Sequence, residues 1–240
     1  MKKFVVIGGG TGCPTVLRGL KKYDIDIAAV VSMFDSGGST GVLRDEFGIL
    51  PPGDVRRCLL ALAEENGDNI IRELFNYRFE HGGSLKGHSF GNLFLTALTK
   101  ITGSDAEAIK RAGKILHIKG KVIPVYTDHS QLCAELENGQ IIEGEKNIDV
   151  PKHDASLKIR RLFLKPDAVI FKETKEAIED ADLIIIGPGD LYTSIVPNLL
   201  VKGMQESLKK SRATKIYICN LMTKWGETNI FNASDFALEI

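Results

Sequence analysis

The chain has 240 residues, 31 basic against 31 acidic side chains, 43% hydrophobic and 26% charged content, which suits one large soluble domain. The cancelled charge excludes the electrostatic footprint of a nucleic-acid or anionic-membrane binder. No apolar run reaches the roughly 18 residues that span a bilayer, and the run after Lys2 and Lys3 is too short for a signal peptide, so the expectation is a cytoplasmic protein without membrane insertion.

Residues 4–7 predict a first strand. Gly8-Gly9-Gly10-Thr11-Gly12 follows, then a helix from Pro14 to about Lys22, with Pro14 suited to the first turn. Strand, glycine loop and helix in that order place phosphates at a helix N-terminus in mononucleotide folds. The pattern G-x-G-x-x-G is matched at Gly8 and Gly10, but Cys13 holds the third glycine position and no Walker lysine follows. A tight strand-to-helix turn without a ligand is the alternative. Residues 27–33 predict a buried second strand that breaks into Asp35-Ser36-Gly37-Gly38-Ser39-Thr40-Gly41. Its glycines free the backbone to point N–H groups at an anion, with hydroxyls beside them. Asp35, 25 residues after Gly10, stands near the usual place of a ribose-reading acid; it can equally ligate a metal or belong to an ordinary Gly/Ser turn.

Arg44, Arg56 and Arg57 gather cations next in the chain. Pro51-Pro52-Gly53 is expected to be neither helix nor central strand, with Asp54 as N-cap of a helix reaching about Glu65 and a further helix over 68–77. Gly87-His88-Ser89-Phe90-Gly91-Asn92 opens a helix over 89–101, where His88 and Asn92, four residues apart, can face one pocket. His88 is either an acid–base group or a structural cap. Ser104 and Glu107 predict a capping box for a helix to about His117.

A strand over 122–126 precedes a hairpin, 131–137 and 140–143, whose Asn138-Gly139 turn calls for two positive-φ positions. Leu132, Ala134 and Leu136 alternate with polar residues, and residues 158–164 join the hairpin in a small antiparallel annex, with 149–156 as a polar loop. Then come a helix over 175–179, a strand over 183–186 and a third glycine loop, Gly187-Pro188-Gly189-Asp190-Leu191-Tyr192-Thr193-Ser194. One helix is expected from about 196 to 209 and a strand over 215–219 ending in Asn220-Leu221-Met222-Thr223. A last helix starting at Ser234-Asp235 would have only about five residues by Ile240, so the sequence is expected to continue.

Of the four cysteines, Cys13, Cys58, Cys133 and Cys219, none forms a Cys-x-x-Cys pair, which argues against zinc and thioredoxin chemistry. Cys58 and Cys219 read as small buried hydrophobes, and Cys13 as a packing residue beside the glycine loop. The rhythm is that of an α/β protein: a Rossmann-like, doubly wound, mostly parallel sheet in one domain over 1–240, with an antiparallel β-hairpin annex at about 128–165. Ligands of such sheets bind outside the strands' carboxyl ends. The expected nucleotide-binding residues are therefore Gly8, Gly9, Gly10, Thr11 and Gly12; Asp35, Ser36, Gly37, Gly38 and Ser39; His88 and Asn92. Gly187, Gly189, Asp190, Tyr192 and Ser194, with Asn220 and Thr223, complete the set, and Asp35 is the metal candidate. No nucleophile–base pair is legible, so no catalytic residue is assigned.

The six segments Gly8–Gly12, Asp35–Ser39, Leu50–Asp54, Gly87–Asn92, Gly187–Ser194 and Asn220–Thr223, together and in this order, resemble the gluconeogenesis-factor (YvcK-like) branch of the superfamily that includes 2-phospho-lactate transferase. The resemblance implies a nucleotide site across the strand ends of a Rossmann-like core. It also implies a UDP-sugar-binding regulatory protein linked to cell shape and cell-wall synthesis under gluconeogenic growth. The transferase branch implies instead a phospho-group transferase that uses a guanine nucleotide, Mg²⁺ and a deazaflavin acceptor. Ser36 stands where the branch carries a second Asp, Val42 where it carries Arg, and Asp190 where Ser is frequent; Trp225 interrupts a usual Gln-Pro-Gly-Glu-Thr run. Loss of the Asp pair favours the regulator over the transferase, and an NAD-dependent oxidoreductase comes third. The partner is a small nucleotide ligand, with a homo-oligomer left open.

Overall fold

The computed structural model describes residues 1–64 and 70–240. Its strands in chain order are β1 (Lys2–Gly8), β2 (Ile25–Val31), β3 (Lys121–Pro124), β4 (Gln131–Leu136), β5 (Ile141–Glu143), β6 (Ile159–Lys165), β7 (Leu183–Ile186) and β8 (Thr214–Tyr217). Five of them form one sheet in the order β3-β2-β1-β7-β8, every pair parallel, with Val6 opposite both Ala29 and Ile185. Residues 5–7 and 27–31 are buried, as continuous apolar runs must be when both faces of a parallel sheet are covered. The chain winds outward from β1 in both directions, so β1 and β7 flank the point where strand order reverses. A crevice opens there at the carboxyl ends. The second sheet is antiparallel, in the order β5-β4-β6, and is the expected annex. Leu132, Ala134 and Leu136 are all buried on its inner face.

The helices are α1 (Gly12–Leu20), α2 (Gly38–Phe47), α3 (Pro52–Leu62), α4 (Ile70–Asn76), α5 (Phe90–Thr102), α6 (Asp105–Ile115), α7 (Glu145–Asp149), α8 (Lys172–Glu179), α9 (Val196–Leu199), α10 (Met204–Lys210) and α11 (Ala233–Leu238). Two were not legible: α2 starts inside the Gly-Ser-Thr-Gly stretch, whose local preference opposes a helix, and α7 is a single turn. Pro52 and Gly53 prove to be the first residues of α3, where a proline's missing N–H is harmless. Asp54 is therefore inside the first turn and not its N-cap. The expected helix over 196–209 is broken: Leu191–Ile195 winds as a π turn, α9 follows, and Gly203 at φ 92° separates it from α10.

Smaller departures have equally local causes. At the hairpin only Gly139 has positive φ (84°), and the Asn138 side chain instead accepts the Gln140 N–H at 2.9 Å, which gives a longer turn with one left-handed position. Ser104 accepts the Glu107 N–H at 3.3 Å, but the Glu107 carboxylate pairs with Arg111 and leaves the capping box half made. The full box is at α11, between Asn232 and Asp235. Cys219 is half-buried, whereas Cys13 and Cys58 are fully buried with sulfurs 3.8 Å apart. The expected helix end at Glu65 and helix start at Asp68 fall outside the described residues.

Candidate functional site

The glycine loop after β1 is shaped by what its missing side chains allow. A Cβ at Gly9 would lie 2.5 Å from the Asp54 carboxylate, and one at Gly12 only 2.2 Å from the Pro188 carbonyl. Gly12 thus takes the close-packing role that the sequence pattern assigns to the position of Cys13. Gly10 has φ +63°, and its N–H donates to Asp54 Oδ2 at 2.9 Å. Asp54 reaches under the loop from α3 and also pairs with Arg57 on its own helix. Arg57 lies 3.9 Å from Asp35, whose other oxygen accepts the Gly37 N–H at 3.0 Å. The first two glycine loops are therefore fastened to each other through Asp54, Arg57 and Asp35.

These groups face a cavity of about 370 Å³ at the carboxyl ends of β1 and β2. The lining includes the cations Arg56 and Arg57 from α3 and Arg78 beyond α4. Arg56 is anchored by its Nε donating to Asn92 Oδ1 at 3.1 Å and by the Phe75 carbonyl at 3.2 Å. Burial, reinforced by the charges of Arg57 and Arg78, lowers its guanidinium pKa to about 10. That mutual repulsion marks a place that favours an anion. Two helix starts border the same space. The N-caps of α1 (Thr11) and α2 (Gly37) carry no side-chain capping hydrogen bond, like those of α3, α7, α8, α9 and α10 and unlike those of α5, α6 and α11. Uncapped first-turn amides carry partial positive charge and accept an anion readily.

The lining also holds acids. Glu145 and Asp149 come from α7, and Asp190 from the loop after β7, next to Thr193 and Ser194. Annex and core meet here: Ser36 donates its N–H to Glu145 Oε2 at 3.2 Å, and Ser36 Oγ accepts the Lys146 N–H at 2.9 Å. Burial, with the nearby charges of Asp35, Asp149 and Asp54, raises the Glu145 pKa to about 8 despite the hydrogen bond from Ser36. Asp35 is raised too, by burial first and then by Asp54. Lys224 pairs with Asp149, with Asp190 at 3.0 Å and with Glu227 at 2.7 Å. These hydrogen bonds outweigh burial and hold its ammonium above the usual lysine range. Asp149, Asp190 and Glu227 are the one set of three His, Cys, Asp or Glu ligands among the described residues close enough to hold a single ion, and Lys224 stands among them. Asp35 is not a member of that set.

Of the residues nominated from sequence, Gly10, Thr11, Asp35, Gly37, Gly38, Ser39, Asn92, Asp190 and Ser194 line the cavity. Gly8, Gly9 and Gly12 lie behind it as packing positions, and Ser36 is spent on the annex. His88 shares a 2.9 Å hydrogen bond with Ser39 Oγ and so supports the α2 start. Gly187 and Gly189 shape the turn after β7, held by Asn220 Nδ2 donating to the Gly189 carbonyl at 2.9 Å. Tyr192 is buried against Phe231, and Thr223 is exposed away from the cavity. Sequence reasoning did not nominate Thr40, Gly53, Asp54, Glu145, Asp149, Thr193 and Arg78, which also line the cavity. Thr40 and Thr193 carried a signal as hydroxyls of the glycine loops, and Asp54 as an acid beside two arginines. Arg44, by contrast, lines a separate cavity with His129 and Lys165.

The family model of 2-phospho-L-lactate transferase CofD matches residues 4–240. A gluconeogenesis factor from Halalkalibacterium halodurans is 50% identical over 235 residues, which are 98% of this chain and 71% of that protein. The gluconeogenesis factor of Bacillus subtilis is 46% identical over 234 residues, 97% of this chain and 72% of that one. The chain spans only 50% of a relative from Nostoc sp., to which it is 50% identical over 234 residues. A crystal structure of a Bacillus halodurans protein superposes with a TM-score of 0.94 at 48% identity, covering 99% of this chain and 75% of that one. Fold, strand-end crevice and relatives agree, and the chain belongs to the gluconeogenesis-factor branch of the CofD family.

Proposed function

We propose that this protein is a regulator that binds a nucleotide sugar, with a UDP-sugar as ligand, and that it acts in the cytoplasm on cell shape and wall synthesis during gluconeogenic growth. The observation that carries the binding claim is a single cavity whose lining includes three arginines and the starts of α1 and α2. A diphosphate suits such a lining, since backbone N–H groups and guanidiniums both donate to phosphate oxygens. Nominated residues from all three glycine loops line one space, and in this reading Asp35 would accept from a ribose hydroxyl. The names of the relatives support the gluconeogenic setting, and the link to cell shape and wall synthesis is what the family resemblance implies.

A metal-assisted transferase is the second reading, favoured by the name of the family model and by the carboxylates that face the cavity. Its Mg²⁺ would draw on Asp35, but the close carboxylate trio already surrounds an ammonium, which fits a preformed divalent site poorly. The two readings part in one experiment. The protein is mixed with UDP-glucose or with GTP and Mg²⁺, its melting is followed, and the small molecules are analysed after hours of incubation. The regulator reading expects UDP-glucose at 100 times its Kd to add about 2.7 kcal/mol of stability and to be recovered unchanged. Turnover of either nucleotide, or stabilisation by GTP alone, would overturn it.

A further inference from the structure

We infer that Arg56 is the group that meets a ligand anion in this cavity, through its Nη2, and that Asn92 is the positioning residue that aims it. The inference rests on the nucleotide-sugar reading above and deepens it, by naming the side chain that takes a phosphate. Arg56 is 9% exposed and, among the described residues, forms no ion pair. Arg57 beside it pairs with Asp54 and Asp35, and Arg78 is exposed. Of the three arginines, Arg56 alone is therefore a buried cation without a carboxylate, a costly state that an anion relieves.

Most of its fork is already taken. Nε donates to Asn92 Oδ1 at 3.1 Å, and Nη1 donates to the Phe75 carbonyl at 3.2 Å and to Asn76 Oδ1 at 3.4 Å. Nη2 has no acceptor among the described residues and is not an enclosed atom. Its N–H groups are thus the part of Arg56 left for an occupant of the cavity that the residue lines. Glycine makes room for the stem: a Cβ at Gly91, second residue of α5, would lie 2.7 Å from Arg56 Cδ. Asn92, 3% exposed, fixes the plane of the fork. A guanidinium has only donors, so the amide turns Oδ1 toward it and Nδ2 away. Nδ2 then donates to Ser39 Oγ at 3.4 Å and to Thr40 Oγ1 at 3.5 Å, in the first turn of α2. An amide carries no charge, so Arg56 is oriented without being neutralised. A carboxylate in its place would pair with the guanidinium and compete with the ligand.

Calorimetry with UDP and with inorganic pyrophosphate, alongside thermal melts, tests the pair. Arg56→Gln is expected to weaken UDP at least about tenfold, the scale of a lost hydrogen bond to a charged group. Asn92→Ala should weaken UDP about fivefold or more in the parent, but less than about twofold once Arg56 is Gln, because its effect passes through the guanidinium. Asn92→Asp keeps an acceptor for Nε and should melt no lower than the parent, yet bind UDP at least about tenfold more weakly. A purely structural Asn92 would instead leave binding and melting in step. Unchanged affinity in Arg56→Gln, parent-like binding by Asn92→Asp, or an Asn92→Ala loss undiminished in the Arg56→Gln background overturns this inference and leaves the nucleotide-sugar reading standing. If pyrophosphate binds and UDP does not, the nucleotide-sugar reading falls, and the same variants titrated with pyrophosphate decide the role of Arg56. Binding of neither overturns both.

Discussion

Asp54 is the residue on which the site depends most. It accepts from Gly10 and pairs with Arg57, so it joins the first glycine loop, the second glycine loop and an arginine of the cavity. Replacing it by Ala leaves a buried N–H without its acceptor and a guanidinium with only the more distant Asp35. Asp54→Ala is expected to lose about 1–3 kcal/mol in urea unfolding and to lose nucleotide binding, whereas Asp54→Asn, which still accepts from Gly10, should keep most of the stability. Glu145 makes a pH prediction. Its carboxyl titrates near 8 in the folded protein, above the range of an unfolded glutamate, because burial penalises its charge. Between about pH 5 and pH 8 the folded state therefore holds the extra proton, and stability falls as pH rises through that window. Glu227, raised to about 7 by burial, pulls the same way. Glu145→Gln removes one of these penalties. Its melting temperature relative to the parent should rise by a few degrees between pH 5 and pH 9; a constant difference would show that Glu145 ionises freely.

At the scale of elements, the crevice exists because two loops approach each other where side chains cannot fit. Gly12, first residue of α1, lies against the Pro188 carbonyl after β7, and a Cβ there would meet it at 2.2 Å. Gly19, near the end of the same helix, has nothing within 4 Å of the equivalent position. Gly12→Ala should cost about 2–3 kcal/mol and weaken nucleotide binding as α1 and the β7 loop are forced apart. Gly19→Ala should add about 0.5–1 kcal/mol by removing the entropy that glycine carries in a helix. Denaturant titrations of the pair separate a packing role from a generic dislike of alanine. The sequence made these elements legible in proportion to how local their causes are. Strand β7 and the start of α5 were read closely, from an apolar run and from the Gly87–Asn92 stretch, where the Ser89 side chain caps the helix. Helix α2 was not, because its Gly-Ser-Thr-Gly start is held by Asn92 of α5 and by His88 just before that helix, some fifty residues away.

Across the whole molecule, three segments distant in sequence meet at one rim of the cavity: the annex helix α7, the loop after β7, and the segment around Lys224. A five-residue helix such as α7 cannot hold itself in isolation, so its order comes from Ser36, from Lys224 and from packing. A ligand that fills the cavity should therefore order all of them at once. Hydrogen exchange is expected to slow on UDP-glucose binding in 145–149, 189–194 and 221–228 as well as in the loop after β1. Protection confined to the loop after β1 would show that the annex does not sense the ligand. This coupling is also how a binding protein without chemistry can report its occupancy to a partner.

The sequence by itself determined the parallel core, the annex and the three glycine loops, since these follow from apolar runs, alternation and glycine positions, all of which are written within a few residues. It also determined which loops end at the strand tips, and nine of the nominated residues do line one cavity there. The tertiary structure alone decided which charges face that cavity. Of the residues that line it, Asp54 reads from sequence as a helix cap and Asp149 as part of a polar loop, while Glu145 and Arg78 belong to no motif. Periodicity encodes what a side chain turns toward the core; it does not encode which distant side chain waits across a crevice. That pairing is set by strand order and by the close approach of loops over Gly9 and Gly12, and it exists only once the chain has folded.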